Sequence, residues 1–98
     1  MKILVLIATL SLSSLGFAGN AEYGKDVAAK CLACHGANGI APNPAWPSLA
    51  GQNSMYLVMQ LKKFKSGQRP DPIMGPLSKS LSDQDMEDVA AYYQSLGK

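Results

Sequence analysis

The sequence predicts an all-α domain, three helical segments joined by two loops rich in proline and glycine. Two stretches place apolar residues at helical spacing behind good capping residues. The prolines fall between the helical segments and not within them, and glycines accompany them there. No run alternates apolar and polar residues with the period of two that marks a half-buried strand.

The chain has 98 residues, enough for one domain and not two. Its first stretch reads as a leader. Lys2 gives a positive start, Ile3 to Leu15 is almost wholly apolar, and Gly16-Phe17-Ala18 supplies small residues for a signal peptidase. The alternative is a membrane anchor, but the apolar run of about 13 residues falls short of the roughly 20 a spanning helix needs. The expected division is a secretory signal peptide over 1–18 and a single domain over 19–98. Gly19-Asn20-Ala21 offers a second cleavage site. The remaining domain is small, and a core of that size stabilises itself by only about 3–5 kcal/mol, so a disulfide, metal or cofactor staple is expected.

The first helix is expected from about Glu22 into Cys31-Leu32-Ala33-Cys34-His35, with Glu22 and Asp26 near its positive end. Gly36 and Gly39 break it. A loop to about Gln52 holds Pro42, Pro44 and Pro47. Loops of that length tend to be functional. The second helix starts near Asn53 or Ser54. Leu57, Leu61 and Phe64 form its apolar stripe, and Ser66-Gly67 ends it. Arg69 to Pro76 holds four helix-hostile residues in eight and is expected to be a loop. The last helix starts at Ser82, with Asp83, Asp85, Glu87 and Asp88 in its first turns. Met86, Val89, Ala90 and Tyr93 supply its apolar face, Tyr92 borders it, and Gly97 ends it.

The chain's two cysteines both lie in Cys31-x-x-Cys34-His35, and His35 is the only histidine. A disulfide over so short a loop would restrict the unfolded chain little. A thioredoxin-like pair belongs in an alternating strand and helix pattern that is missing here. Structural zinc takes four protein ligands, and two Cys and one His fall short. The spacing reads instead as a c-type haem attachment site. On a helical turn Cys31 and Cys34 share a face, so both can reach the vinyl groups on one edge of a porphyrin. His35 can then place an imidazole nitrogen on iron. An exported setting suits that attachment.

The sixth iron position separates an electron carrier from a gas-binding or peroxide-binding protein, and methionine sulfur is the expected partner of histidine in a carrier. Met55, Met59 and Met86 fall in amphipathic helices, where core packing is the default. Met74 falls in the second proline-rich loop, 39 residues after His35, between Pro72 and Pro76. Met74 is therefore the expected second ligand.

With these parts in order the chain resembles the class I c-type cytochromes, in particular small bacterial monohaem cytochromes and the single domains of dihaem periplasmic ones. The resemblance rests on Gly24-Lys25, Cys31 to Gly36, Pro47-Ser48-Leu49-Ala50-Gly51-Gln52, Tyr56-Leu57, Gln60-Leu61, Phe64 to Gly67, Met74, and Leu81-Ser82-Asp83 to Ala91-Tyr92. It implies a cytochrome c fold, three to five helices around one covalently bound haem c. In that fold the first and last helices cross at Gly24, with Val89 and Tyr92 on the other face. It implies that the Pro47 carbonyl accepts a hydrogen bond from His35 and that Leu49 packs on the haem. Dihaem relatives carry two attachment motifs and this chain carries one, so a second haem would come from a partner subunit.

The expected function is electron transfer, without enzymatic chemistry, between periplasmic or membrane redox partners by a protein that is periplasmic or secreted. A haem enzyme or sensor would need polar groups over the iron, and the chain has no second histidine and a single arginine, Arg69. A subunit of a larger redox complex has the same chemistry and stays open. Without Lys2 there are 8 basic and 7 acidic residues, no excess that suggests nucleic acid. Lys62, Lys63, Lys65 and Arg69 are either a docking patch for an acidic partner or a solvated helix face.

Overall fold

The computed structural model describes residues 19–97, and among them every regular element is a helix. Helix α1 spans Ala21–Val27, tightens into a 3-10 turn over Ala28–Cys31, and continues as the short α2, Leu32–His35. Helices α3, α4 and α5 span Ser54–Ser66, Met74–Lys79 and Asp83–Ser95. The expected leader, 1–18, lies outside the described residues.

Each long helix starts on a side-chain cap. The Asn20 Oδ1 accepts from the Glu22 and Tyr23 amides at the head of α1. Asn53 Oδ1 accepts from the Tyr56 amide of α3. Ser82 and Asp85 form a reciprocal capping box on α5, satisfying two amides that a helix start otherwise leaves unpaired. Gly67 closes α3 at φ +83°, a left-handed conformation that side chains with a Cβ adopt at a cost.

Helices α1 and α5 cross in contact, and Gly24 makes the crossing possible. A Cβ at residue 24 would stand 1.9 Å from the Asp88 carbonyl oxygen and 2.9 Å from Tyr92 Cβ. Asp88 is buried, and its Oδ1 accepts from the Asn20 backbone amide at 2.8 Å and from Gln84 Nε2 at 2.9 Å. It therefore ties the start of α1 to the side of α5, besides lying near the positive end of its own helix. Ala28, Leu57, Val58, Val89, Ala90 and Tyr93 form the core between α1, α3 and α5.

Two expectations are corrected. Arg69 to Pro76 is not all loop, because α4 starts at Met74 and Pro76 is its third residue. A proline there removes an amide that the first helical turn leaves without an intrahelical partner anyway, so the rule against proline in a helix interior does not apply. Asp71 Oδ1 also accepts from the Ile73 and Met74 amides at 2.9 and 2.8 Å and starts the turn. The second correction concerns the helical methionines. Met86 is fully buried, whereas Met55 and Met59 are 77% and 51% exposed on the face of α3 opposite Leu57 and Leu61. Met86→Ala is therefore expected to cost about 2–5 kcal/mol in chemical denaturation of the haem-loaded protein. Met55→Ala is expected to stay within about 0.5 kcal/mol of wild type. Equal losses would show that α3 packs differently.

Candidate functional site

The attachment motif leaves the α1/α5 crossing and turns sharply at Gly36. There φ is +84°, and a Cβ would stand 1.9 Å from the Ile40 carbonyl oxygen. The loop then folds back over the motif. The amides of Leu49 and Ala50 donate to the Gly39 carbonyl at 2.8 and 3.0 Å, and the Ala41 amide donates to Ser48 Oγ. The far end of the loop is fastened to α5. The Gly51 amide donates to the Tyr93 carbonyl, and the Ser54 amide donates to Gln94 Oε1.

This folding places the Pro47 carbonyl oxygen 2.7 Å from His35 Nδ1 on a buried imidazole. With Nδ1–H donated to a carbonyl, the neutral tautomer leaves Nε2 as an acceptor, the state in which an imidazole binds a metal.

A cleft of about 340 Å³ opens beside the ring, a volume within the usual range of ligand sites. Cys34, His35, Pro47 and Leu49 line one side, and Leu57, Leu61 and Phe64 of α3 line another. Met74 lines it from the start of α4. Cys31 is placed differently. It packs half-buried against the core beside Tyr93 and not on the cleft wall, and burial raises its thiol pKa. Among the expected site residues, then, Cys34, His35, Pro47, Leu49 and Met74 share the cleft, and Cys31 stands at its flank.

Residues not expected at the cleft also reach it. Trp46, Gln52, Tyr56, Gln60, Arg69 and Asp71 line it. Tyr56 and Gln60 are four apart on one face of α3, and their pairing was the available sequence signal. Arg69 donates from Nη1 to Gln60 Oε1 at 2.6 Å, and its guanidinium carbon lies 4.5 Å from the centre of the Phe64 ring. Lys65 Nζ donates to the Leu81 carbonyl. Arg69 and Lys65 are thus engaged within the fold, which leaves Lys62 and Lys63 of the basic cluster on α3.

The donor set suits an iron porphyrin. One imidazole and one thioether side chain, the soft and borderline ligands of His/Met haem sites, line a common cleft together with a thiol and several apolar side chains.

Comparison with known proteins points to the same cofactor. Residues 21–97 match the Cytochrome c family. The chain is 48% identical over 96 residues to cytochrome c4 of Pseudomonas aeruginosa, covering 96% of this chain and 48% of that protein. It is 42% identical over 81 residues to cytochrome c-554(548) of Halomonas halodenitrificans, covering 80% of this chain and 98% of that one. The crystal structure of reduced recombinant cytochrome c4 from Pseudomonas stutzeri superposes with a TM-score of 0.75 at 44% identity, covering 80% of this chain and 46% of that one. The chain therefore belongs to the cytochrome c family, and its cofactor is haem c. It spans about half the length of the cytochromes c4 it matches. No helix among the described residues is long and apolar enough to cross a membrane.

Asp71 governs the segment that carries Met74. Hydrogen bonds from the Met74 and Ile73 amides hold its carboxyl below the usual carboxylate range. The carboxylate, and the turn it supports, is therefore kept at neutral and mildly acidic pH and lost only as pH falls through that lowered value. Asp71→Ala is expected to speed amide hydrogen exchange at Ile73 and Met74 while leaving the amides of α5 unchanged. Unchanged exchange at both residues would show that the turn does not depend on Asp71.

Proposed function

We propose that this protein carries single electrons on one haem c, bonded through Cys31 and Cys34, with iron held between His35 and Met74. The observation that carries the reading is the His35 Nδ1 contact with the Pro47 carbonyl at 2.7 Å, in a cleft that Met74 also lines. Iron bound there supplies a one-electron couple. The protein's part is to hold the geometry constant through both oxidation states. Pro47 fixes the rotation and tautomer of the imidazole and makes Nε2 more basic. The Asp71 turn holds the Met74 thioether in the cleft, where it fills a position that water or a small ligand would otherwise take. Leu49, Leu57, Leu61 and Phe64 give the cleft an apolar wall on which little solvent has to reorient when the charge changes.

The redox partners are other proteins on either side of the electron path, and the mature protein is periplasmic or secreted. The leader-like sequence of residues 1–18 and the bacterial cytochromes matched above support that location. Arg69 at the cleft would serve the rival reading of a sensor or haem enzyme. Its bonds to Gln60 and Phe64 favour a structural role instead.

Carbon monoxide separates the readings. The reduced wild-type protein is expected to resist it at neutral pH, and Met74→Ala is expected to bind it readily. The same substitution is expected to abolish the weak absorption band near the red end of the ferric spectrum that a thioether ligand gives. A wild-type protein that binds carbon monoxide readily would be a sensor or enzyme. Loss of the band in Met55→Ala and not in Met74→Ala would move the ligand elsewhere.

A further inference from the structure

Tyr93 presents a buried hydroxyl without a partner. The residue is 2% exposed, in the middle of the core, and its Oη makes no hydrogen bond among the described residues. A buried donor left unpaired is destabilising, and native structures rarely keep one without cause. A phenylalanine would fill the same core volume without that cost, so the hydroxyl needs a function.

Its surroundings name one. Tyr93 belongs to the core cluster against which Cys31 packs. The two groups are close enough to perturb each other. Burial first, and then the Cys31 sulfur, raise the phenol pKa. The neighbouring hydroxyl on the same helix is accounted for, since Tyr92 donates to the Ala37 carbonyl at 3.3 Å. Tyr93 Oη has no such partner among the described residues.

We infer that Tyr93 is a positioning residue whose hydroxyl donates a hydrogen bond to the Cys31 sulfur once that sulfur is a haem thioether. This rests on the covalent attachment proposed above. A free thiol carries its own proton and competes as a donor, whereas a thioether sulfur can only accept. Attachment thus turns an unpaired hydroxyl into a paired one and gives Cys31 a fixed orientation from the core side. A donor on the thioether draws electron density from the porphyrin edge, which disfavours the ferric state and raises the reduction potential. Hydrogen bonds of this kind around the cofactor are among the levers by which a protein sets that potential.

The test compares wild type, Tyr93→Phe and Tyr92→Phe as purified haem-loaded proteins. Acid–acetone extraction is done first. Haem released from the wild type would refute covalent attachment itself, and with it this inference. With attachment established, Tyr93→Phe is expected to lower the reduction potential, and Tyr92→Phe to leave it at the wild-type value. A potential in Tyr93→Phe equal to that of wild type would overturn the inference. An equal fall in both variants would overturn it as well, because the effect would then be one of helix packing. Proton NMR of the reduced wild type gives a readout that needs no variant. A slowly exchanging Tyr93 hydroxyl proton with cross-peaks to the Cys31 β-protons supports the bond, and a fast-exchanging one contradicts it.

Discussion

Backbone contact between α1 and α5 at Gly24 is the constraint on which the site depends. With the Asp88 carbonyl where a Cβ would stand, the helices meet main chain to main chain. Asp88 then clamps the start of α1 through the Asn20 amide. The direction of α1 is thereby fixed, and with it the place where Cys31 to His35 emerge. The same α5 accepts the Gly51 amide on the Tyr93 carbonyl and the Ser54 amide on Gln94. The loop that covers His35 and the helix that forms the cleft wall are therefore both positioned from α5. A shift at the crossing would move the ring, its carbonyl partner and the apolar wall together.

The cleft shows how a small chain can hold a large flat cofactor. The buried core is a few residues, Ala28 after α1, Leu57 and Val58 of α3, Leu81, and one face of α5, and Leu49 and Leu61 pack at its edge while also lining the cleft. Core and cofactor site thus share side chains. A covalent group in the cleft would add apolar surface that the chain does not supply itself, the staple expected of a domain this size. The two proposed ligands are supported in different ways. His35 is held by a carbonyl from a loop tied at both ends. Met74 is held by a short turn that Asp71 starts.

Much of this was legible in local sequence. Ser82 followed by Asp85, Asn53 before an apolar stripe, and Gly67 after one are signals whose physics acts within a few residues, and those helices stand where they pointed. The apolar face of α5 was legible for the same reason: Met86, Val89, Ala90 and Tyr93 are all buried. What was not legible depended on distant partners. Asp88 read as a dipole-complementing charge, because nothing near it in sequence reveals the Asn20 amide across the crossing. Met55 and Met59 read as core, because spacing shows that residues share a face and not which face is covered. The start of α4 was hidden by Pro72 and Pro76, which mark a loop only when taken as interior residues. For the cleft, the motif pointed to Cys34 and His35. Tyr56 and Gln60 were given no role and Arg69 was read as part of a basic cluster, because their places at the cleft arise from how α3 lies across the loops.

The central claim is that the fold presents one nitrogen and one sulfur to a single iron and leaves no open position. X-ray absorption at the iron edge of the haem-loaded protein tests this most directly, because it reports the ligand atoms and their distances without any substitution. The account predicts, in both oxidation states, a shell made of the porphyrin nitrogens, one imidazole nitrogen and one sulfur. A shell without sulfur, or one with an open or oxygen-filled position in either state, would contradict it.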